Sequence, residues 1–391
     1  MKKFELKPLR GRRWKAGPAV ASAPAQMWVT NEIRDFAEFW PRSNRLGEAI
    51  CYAFQCADIL ELHCETFVPA RNADPWFVAI VNEKGDPLAL FPFMIEHSRH
   101  ISTLRFMDGA LSDYNAPVLF PPAQEWNAET IRKIWRGLQQ RLPFDIAVFE
   151  KVPAHIGEIT NPVTLLTMSP QGQSGHFLGL SGTWNEMSAR FPRRKELERK
   201  SRRLSRRGKI AFEIAETPDQ YDVLIAVLIR QKQQRDLDAH GGNDTLGLPG
   251  FRSYLEAARR LVYPSGPVAL FGLKVNDTVV AAHWGYIVGS RFSSLIPSFE
   301  GGEWYSYSPG FLLADKMLEW CLAKGLSIFD YGWGDEPYKR EYCDVSTLLY
   351  RAEIPSTIRG RFYLEIRYMK QQLAKTRPWA LARAIKERCR K

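Results

Sequence analysis

Side chains able to move protons gather in the stretch "DYGWGDEPYK", residues 330–339. Within it, Asp335 can accept a proton or orient a bound molecule, Tyr338 can donate a proton, and Lys339 adds a positive charge. His283 lies in the apolar stretch "VVAAHWGY", where strand alternation places it on one face with small residues. Two interpretations stay open: a proton-transfer site, or a solvated, salt-bridged turn beside an ordinary strand histidine.

The stretch "YSYSPG", residues 305–310, joins an apolar strand to a helix. The first turn of a helix offers unpaired N–H groups and the positive end of the helix dipole, so such a junction can hold an anion. Ser and Pro are also common residues at helix starts, so an ordinary corner between strand and helix explains the same letters.

Residues 190–209 hold eleven Lys/Arg and two Glu. Their few non-basic positions recur on one narrow face, which predicts a helix over 192–207 with an almost wholly basic surface. A solvated helix, a nucleic-acid or lipid-surface binder and one wall of a phosphate site are the alternatives. The lack of interleaved aromatics makes nucleic acid the weakest of them. Arg199, Arg202 and Arg203 suit a phosphate through bidentate pairing.

Composition places the chain among globular proteins. Its 391 residues are 45% hydrophobic and 25% charged, which indicates two domains in a soluble protein. No apolar run reaches the length of a membrane span, and the cytoplasm is the expected compartment. Cys51, Cys56, Cys64 and His63 have spacings that fit an apolar helix face better than a zinc site, so we expect no metal.

The order of elements predicts a tandem α/β protein. Helices, a hairpin with a "KGD" turn, further strands and a buried strand "FDIAVFE" fill the first half. The second half repeats helices and strands, with a three-strand run, a helix over 310–324 and the strand "SIFDYG". We expect a mixed sheet flanked by helices in each half. The predicted boundaries are a disordered basic tail (1–27), a first lobe (28–175) with a linker over its last residues, a second lobe (176–368) and a basic tail (369–391).

Five pieces occur in order over residues 50–340: "LSDYNAPVLF", "LSRRGK", "VVAAHWG", "YSYSPGFLLADKMLEW" and "FDYGWGDEPYK". With them the chain resembles the GNAT-like acetyltransferases of cellulose and exopolysaccharide synthesis, the CelD-like family, which are relatives of the Fem aminoacyltransferases. GNAT enzymes carry a (Q/R)xxGxG pyrophosphate loop, and here "YSYSPG" stands in its place.

The resemblance implies a tandem GNAT-like fold with two mixed sheets and an acyl-CoA co-substrate without a metal. It implies an acceptor on a sugar, an envelope precursor or an exopolysaccharide precursor, bound in the cleft between the lobes. The implied sites are a catalytic set of His283, Asp335 and Tyr338, a pyrophosphate site at Tyr305, Ser308 and Gly310, and an acceptor site at Asp113, Tyr114, Arg199, Arg203 and Lys339. The alternatives are a Fem-like aminoacyltransferase that uses aminoacyl-tRNA and a non-catalytic accessory protein of polysaccharide synthesis.

Overall fold

The computed structural model describes residues 26–121, 126–238 and 246–374. The tail expected over 1–27 therefore lies outside the described residues except for its last two, which belong to the first strand. Of the tail expected over 369–391, the described residues 369–374 continue a helix.

The first half contains nine strands and three helices among the described residues. In chain order they are β1 (Gln26–Thr30), α1 (Ala57–Glu65), α2 (Phe67–Ala70), β2 (Ala73–Val81), β3 (Pro87–His97), β4 (Ser102–Phe106), β5 (Val118–Leu119), α3 (Ala128–Arg141), β6 (Ile146–Pro153), β7 (His155–Ile156), β8 (Ile159–Thr160) and β9 (Ser169–Gly179). The hairpin predicted around "KGD" is confirmed as β2 and β3.

The second half follows with six strands and seven helices in the described ranges. They are α4 (Trp184–Ser188), α5 (Arg194–Leu204), β10 (Ile210–Ile214), α6 (Pro218–Asp238), α7 (Phe251–Ala257), β11 (Val268–Val275), β12 (Thr278–Val288), β13 (Arg291–Phe299), α8 (Pro309–Ala323), β14 (Ile328–Trp333), α9 (Pro337–Tyr342), β15 (Val345–Pro355) and α10 (Ile358–Ala374). The basic helix, the three-strand run and the following helix are confirmed, while the end of the stretch 330–339, for which a salt-bridged turn was one interpretation, forms the start of α9.

The sheet repeats one pattern twice. Strands β1 to β4 are antiparallel neighbours and β4 is parallel to β6. Strands β10 to β13 are likewise antiparallel and β13 is parallel to β14. The tandem α/β architecture is thus confirmed, with one difference. The two expected sheets join edge to edge in a single mixed sheet of thirteen strands.

The halves join by exchanging strands. β15, from the end of the chain, pairs with β6 of the first half, and β9 pairs with β14 of the second. β9 and β15 also pair with each other. The expectation of a linker up to residue 175 is therefore wrong. Its polar residues form a strand because backbone pairing on both sides outweighs their weak strand propensity.

A gap opens between the parallel strands β13 and β14. They pair only through Arg291, Phe292 and Ser293 opposite Ile328, Phe329 and Asp330. Beyond Asp330 the register of β14 follows β9, while β13 stays with β12. We call the gap, bounded by residues 294–296 and 331–333, the notch.

Helices fix the two sides of the notch. α8 begins at Pro309, a residue suited to the first helical position, and ends before Gly325, whose φ of +75° suits the residue after a helix. Its apolar face packs on Phe271 and Phe292. On the opposite face of the sheet, α6 and α7 pack against Trp284 and Tyr286. The start of α8 is thereby held beside β13.

Candidate active site

Asp330 is a fully buried carboxylate at the notch. Its Oδ1 accepts hydrogen bonds from the Tyr114 hydroxyl and the Gly332 N–H, both at 2.8 Å. Arg291 Nη1 donates to its Oδ2 at 2.6 Å. Because both oxygens are occupied, Asp330 serves to join Tyr114 of the first half to the second half.

Asp113 lies against the same turn and is only partly buried. Gly332 has a φ of +71°, and a Cβ built on it would stand 1.9 Å from Asp113 Oδ2, so glycine is needed for this approach. Burial raises the pKa of Asp113 to about 7, against the opposing charge of Lys151. A carboxyl group that titrates near neutral pH and keeps some access to solvent is suited to general base catalysis.

Two lysines surround this carboxyl group. Lys339, with a side chain 6% exposed, donates to the Trp333 carbonyl at 2.6 Å and pairs with Glu336 at 3.0 Å. Lys151 donates to the Ser112 carbonyl at 2.7 Å and stands 5.2 Å from the centre of the Trp333 ring. No motif marked Lys151, because only the tertiary fold brings it to Trp333.

Tyr338 stands between β14 and the start of α8. Its ring centre lies 5.9 Å from that of Phe311 and 6.0 Å from that of Tyr331. Burial raises the pKa of Tyr338 to about 12, and the charge of Asp113 contributes to the rise. The hydroxyl is therefore protonated at neutral pH and can act as an acid.

The start of α8 has the form of an anion site. Ser308 is in the left-handed region with φ +53°, and its carbonyl accepts from the N–H groups of Phe311 and Leu312. Pro309 has no N–H. The N–H of Gly310 makes no hydrogen bond within the described residues, which leaves it available to a ligand. Tyr305 is 69% exposed just before this turn.

The basic helix α5 packs against this turn. Lys200 Nζ donates to Ser308 Oγ at 2.7 Å, and the Arg203 guanidinium stands 5.3 Å from the centre of the Tyr307 ring. Arg193 stacks on Phe311 at 5.4 Å. Arg193, which directly precedes α5, and Lys200 and Arg203 within it are spaced as residues on one helix face are. Arg199 makes no hydrogen bond, ion pair or ring contact with this turn among the described residues.

His283 occupies an enclosed place on the α8 side of the sheet. Its Nε2 lies 2.8 Å from Ser294 Oγ, and its ring centre 6.1 Å from that of Phe292. Burial lowers the pKa of His283 to about 3, so the ring is neutral and a weak base. Its catalytic role stays a prediction, and these surroundings count against it.

Asp335 is tied to β9 rather than to His283. Its Oδ1 lies 2.8 Å from Nε2 of His176, whose Nδ1 meets Ser346 Oγ at 2.8 Å. The hydrogen bond with His176 lowers the pKa of Asp335, and desolvation opposes this effect. The role predicted for Asp335 as a proton acceptor is likewise untested.

In the described ranges no three His, Cys, Asp or Glu side chains are placed to hold a metal ion.

Residues 192–340 match the family model described as "Acetyltransferase (GNAT) domain". No curated protein matches the chain. A conserved protein of unknown function from Bacteroides thetaiotaomicron VPI-5482 aligns at 12% identity and TM-score 0.50, over 85% of this chain and 100% of that one. FemX aligns at 11% identity and TM-score 0.53, over 82% of this chain and 100% of that one. The protein therefore has the GNAT fold, and it is an acyltransferase.

Proposed function

We propose that the protein transfers an acyl group from acyl-CoA to an amine or hydroxyl of a saccharide or envelope precursor, with Asp113 as the general base. The observation that carries this proposal is the Asp113 carboxyl group, which lies against Gly332 at the notch with a pKa of about 7. This assignment replaces His283, whose pKa of about 3 makes it a poor base at neutral pH.

The turn at the start of α8 fits the pyrophosphate of the donor. The Gly310 N–H and the Ser308 hydroxyl supply hydrogen-bond donors, and the helix dipole favours negative charge. Lys200 and Arg203 place two cations beside the same turn. The acyl end of a donor held there would reach the notch, which begins at the strand that leads into this turn.

The residues around the notch divide the proton transfers of the reaction. Asp113 takes the proton of the acceptor amine or hydroxyl as the acceptor atom bonds to the acyl carbon. The bond from that carbon to sulfur breaks, and Tyr338 gives its proton to the departing sulfur. Leu295 is an extra residue in β13, opposite no residue of β12, and its backbone N–H would stabilise the acyl oxygen.

The acceptor would lie where the loop that carries Asp113 and Tyr114 meets α9. Lys339 fixes the backbone there through the Trp333 carbonyl, and Lys151 fixes the opposite wall through the Ser112 carbonyl. The buried Trp333 Nε1 and Ser112 Oγ have no hydrogen-bond partner within the described residues. Unpaired buried donors of this kind favour a ligand rich in hydroxyl or carbonyl groups, as a saccharide is.

Asp113→Asn tests the proposal. The amide keeps the shape of the carboxyl group but cannot take a proton, so turnover should fall about a hundred- to ten-thousand-fold. Acetyl-CoA binding, measured by calorimetry, should be unchanged. Asp344→Asn is the matched control, since Asp344 accepts from the Gly179 N–H away from the notch. Full turnover by Asp113→Asn would remove Asp113 as the base.

The donor itself is tested by supplying labelled acetyl-CoA, longer acyl-CoAs and aminoacyl-tRNA with amino sugars as acceptors. Transfer from acyl-CoA supports the proposal. Transfer from aminoacyl-tRNA alone would select the Fem-like alternative. If the protein binds acyl-CoA but transfers nothing to any acceptor, while Asp113→Asn supports polysaccharide output like the parent, the accessory role is selected.

A further inference from the structure

Helix α10 carries a row of exposed apolar side chains, which we call the apolar stripe: Ile358, Phe362, Ile366 and Met369. They are 78%, 60%, 52% and 61% exposed. At about 100° per residue these four positions fall within roughly 80° of one another around the helix. Such a stripe normally faces a core, and here it faces away from the protein.

The opposite side of α10 is the one that docks on the sheet. Leu364 packs on the small cluster of Ile101, Ile146 and Val148. Gly360 lies so close to the Asp145 carbonyl that a Cβ would come within 2.0 Å of its oxygen. The helix is therefore fixed in rotation, and the apolar stripe cannot turn inward to be covered by the sheet.

Basic residues border the apolar stripe. Arg359, Arg361 and Lys370 are exposed, and Arg367 pairs with Glu353. Glu365 is the one acidic residue of the helix. Residues 375–391, which follow it in the sequence, add seven Lys/Arg and one Glu. An apolar face with basic borders and a basic continuation complements a surface that is apolar beneath and anionic above.

We infer that α10 attaches the protein to an anionic lipid surface, with the apolar stripe at the boundary of headgroups and acyl chains. A second copy of the chain is the less favoured occupant, because two such helices would bring like charges together. The attachment that we infer is interfacial. None of the helices in residues 26–121, 126–238 and 246–374 is long and apolar enough to cross a membrane. The attachment is independent of the chemistry at the notch.

Co-sedimentation of the full chain with vesicles tests this inference. The protein should bind phosphatidylcholine vesicles that contain phosphatidylglycerol, should bind pure phosphatidylcholine weakly, and should be released as salt is raised. Ile366→Glu should weaken binding about tenfold or more, because a charge replaces an exposed apolar side chain that enters the lipid surface on binding. Ile366→Leu should retain it.

Val223→Glu is the matched control, since Val223 on α6 is 59% exposed and the charge change is the same. It should bind vesicles like the parent. Equal loss in both variants would show that only net charge matters and would overturn a role for the stripe. Equal binding to both kinds of vesicle would overturn the anionic preference. A dimer in sedimentation velocity that Ile366→Glu dissociates, with no vesicle binding, would assign the stripe to a second copy.

Discussion

At the scale of single residues, the environment of each acidic side chain decides what it can do. Asp330 has both oxygens occupied by donors, and Asp335 is held ionised by His176, so neither is a good proton acceptor at neutral pH. Asp113 has fewer hydrogen-bond donors around it, and desolvation by the surrounding residues disfavours its charged form. Burial raises the pKa of Asp113 to about 7, which is where a base is needed at neutral pH.

The raised pKa of Asp113 predicts opposite pH responses of activity and stability. As a base it works when ionised, so kcat/KM should rise about tenfold per pH unit below 7 and level off above it. For stability, the folded pKa of about 7 lies above the ordinary 3.8. Asp113 therefore contributes to the stability of the fold fully at pH values below its ordinary pKa, and this contribution is lost as pH rises through about 7. Rate profiles and thermal unfolding over this window measure both.

Asp113→Asn is the control for both responses. The residual kcat/KM of this variant should no longer rise with pH up to about 7. Its thermal stability should exceed that of the parent most clearly above that pH. If kcat/KM of the variant still rose with pH up to about 7, the titrating group would be a residue other than Asp113.

At the scale of elements, α5 and α8 together form one candidate anion site. α8 supplies the free N–H of its first turn, and α5 supplies cations along the face that meets residues 304–311. The helix dipole and the cations act on the same place, so their attractions for an anion add. The basic helix α5, whose surface alone left several ligands open, is thereby expected to bind an anion.

Arg203→Glu should weaken acetyl-CoA binding about tenfold or more, because it reverses a charge beside the start of α8. Arg202→Glu changes the net charge equally on an exposed position of α5 that makes no contact with that turn among the described residues. It should bind nearly as the parent does. Calorimetry with acetyl-CoA separates them, and equal losses would mean that the donor senses only the overall charge.

At the scale of the whole molecule, the exchange of β9 and β15 makes the two halves one sheet. Neither half completes its sheet alone, since β6 and β14 each border a strand exchanged between the halves. Asp113 also reaches Gly332 only across this junction. The fold thus couples the integrity of the notch to the pairing of the halves.

Leu349→Ala on β15 should destabilise both halves together, by about 2–5 kcal/mol, because it empties a buried position at their junction. Leu349 is 1% exposed, whereas its neighbour Leu348 is 57% exposed. Leu348→Ala should therefore change stability by about 0.5 kcal/mol or less. Urea unfolding with hydrogen exchange in each half measures the effect. Two separate transitions, with only one half shifted, would contradict the coupling.

The sequence by itself determined the local elements and the kind of fold. The apolar runs of β11 to β13, the helical spacing of α5 and the "SPG" start of α8 are short-range patterns, and each formed as its residues predict. The resemblance assigned Tyr338 to the catalytic set and Asp113 and Lys339 to the acceptor site, and their separation in the chain gave no sign of how the three side chains are placed relative to one another.

Only the tertiary structure decided which residue faces which. The polar segment of β9 looked like a linker because its propensity is weak, and pairing with β14 and β15 overrode that propensity. The pKa values of Asp113 and His283 follow from burial, which depends on residues far apart in the chain. Contacts between the halves are non-local, and no periodicity within either half encodes them. For this reason the sequence could identify candidate site residues, whereas their contacts and pKa values, which decide between them, follow only from the tertiary structure.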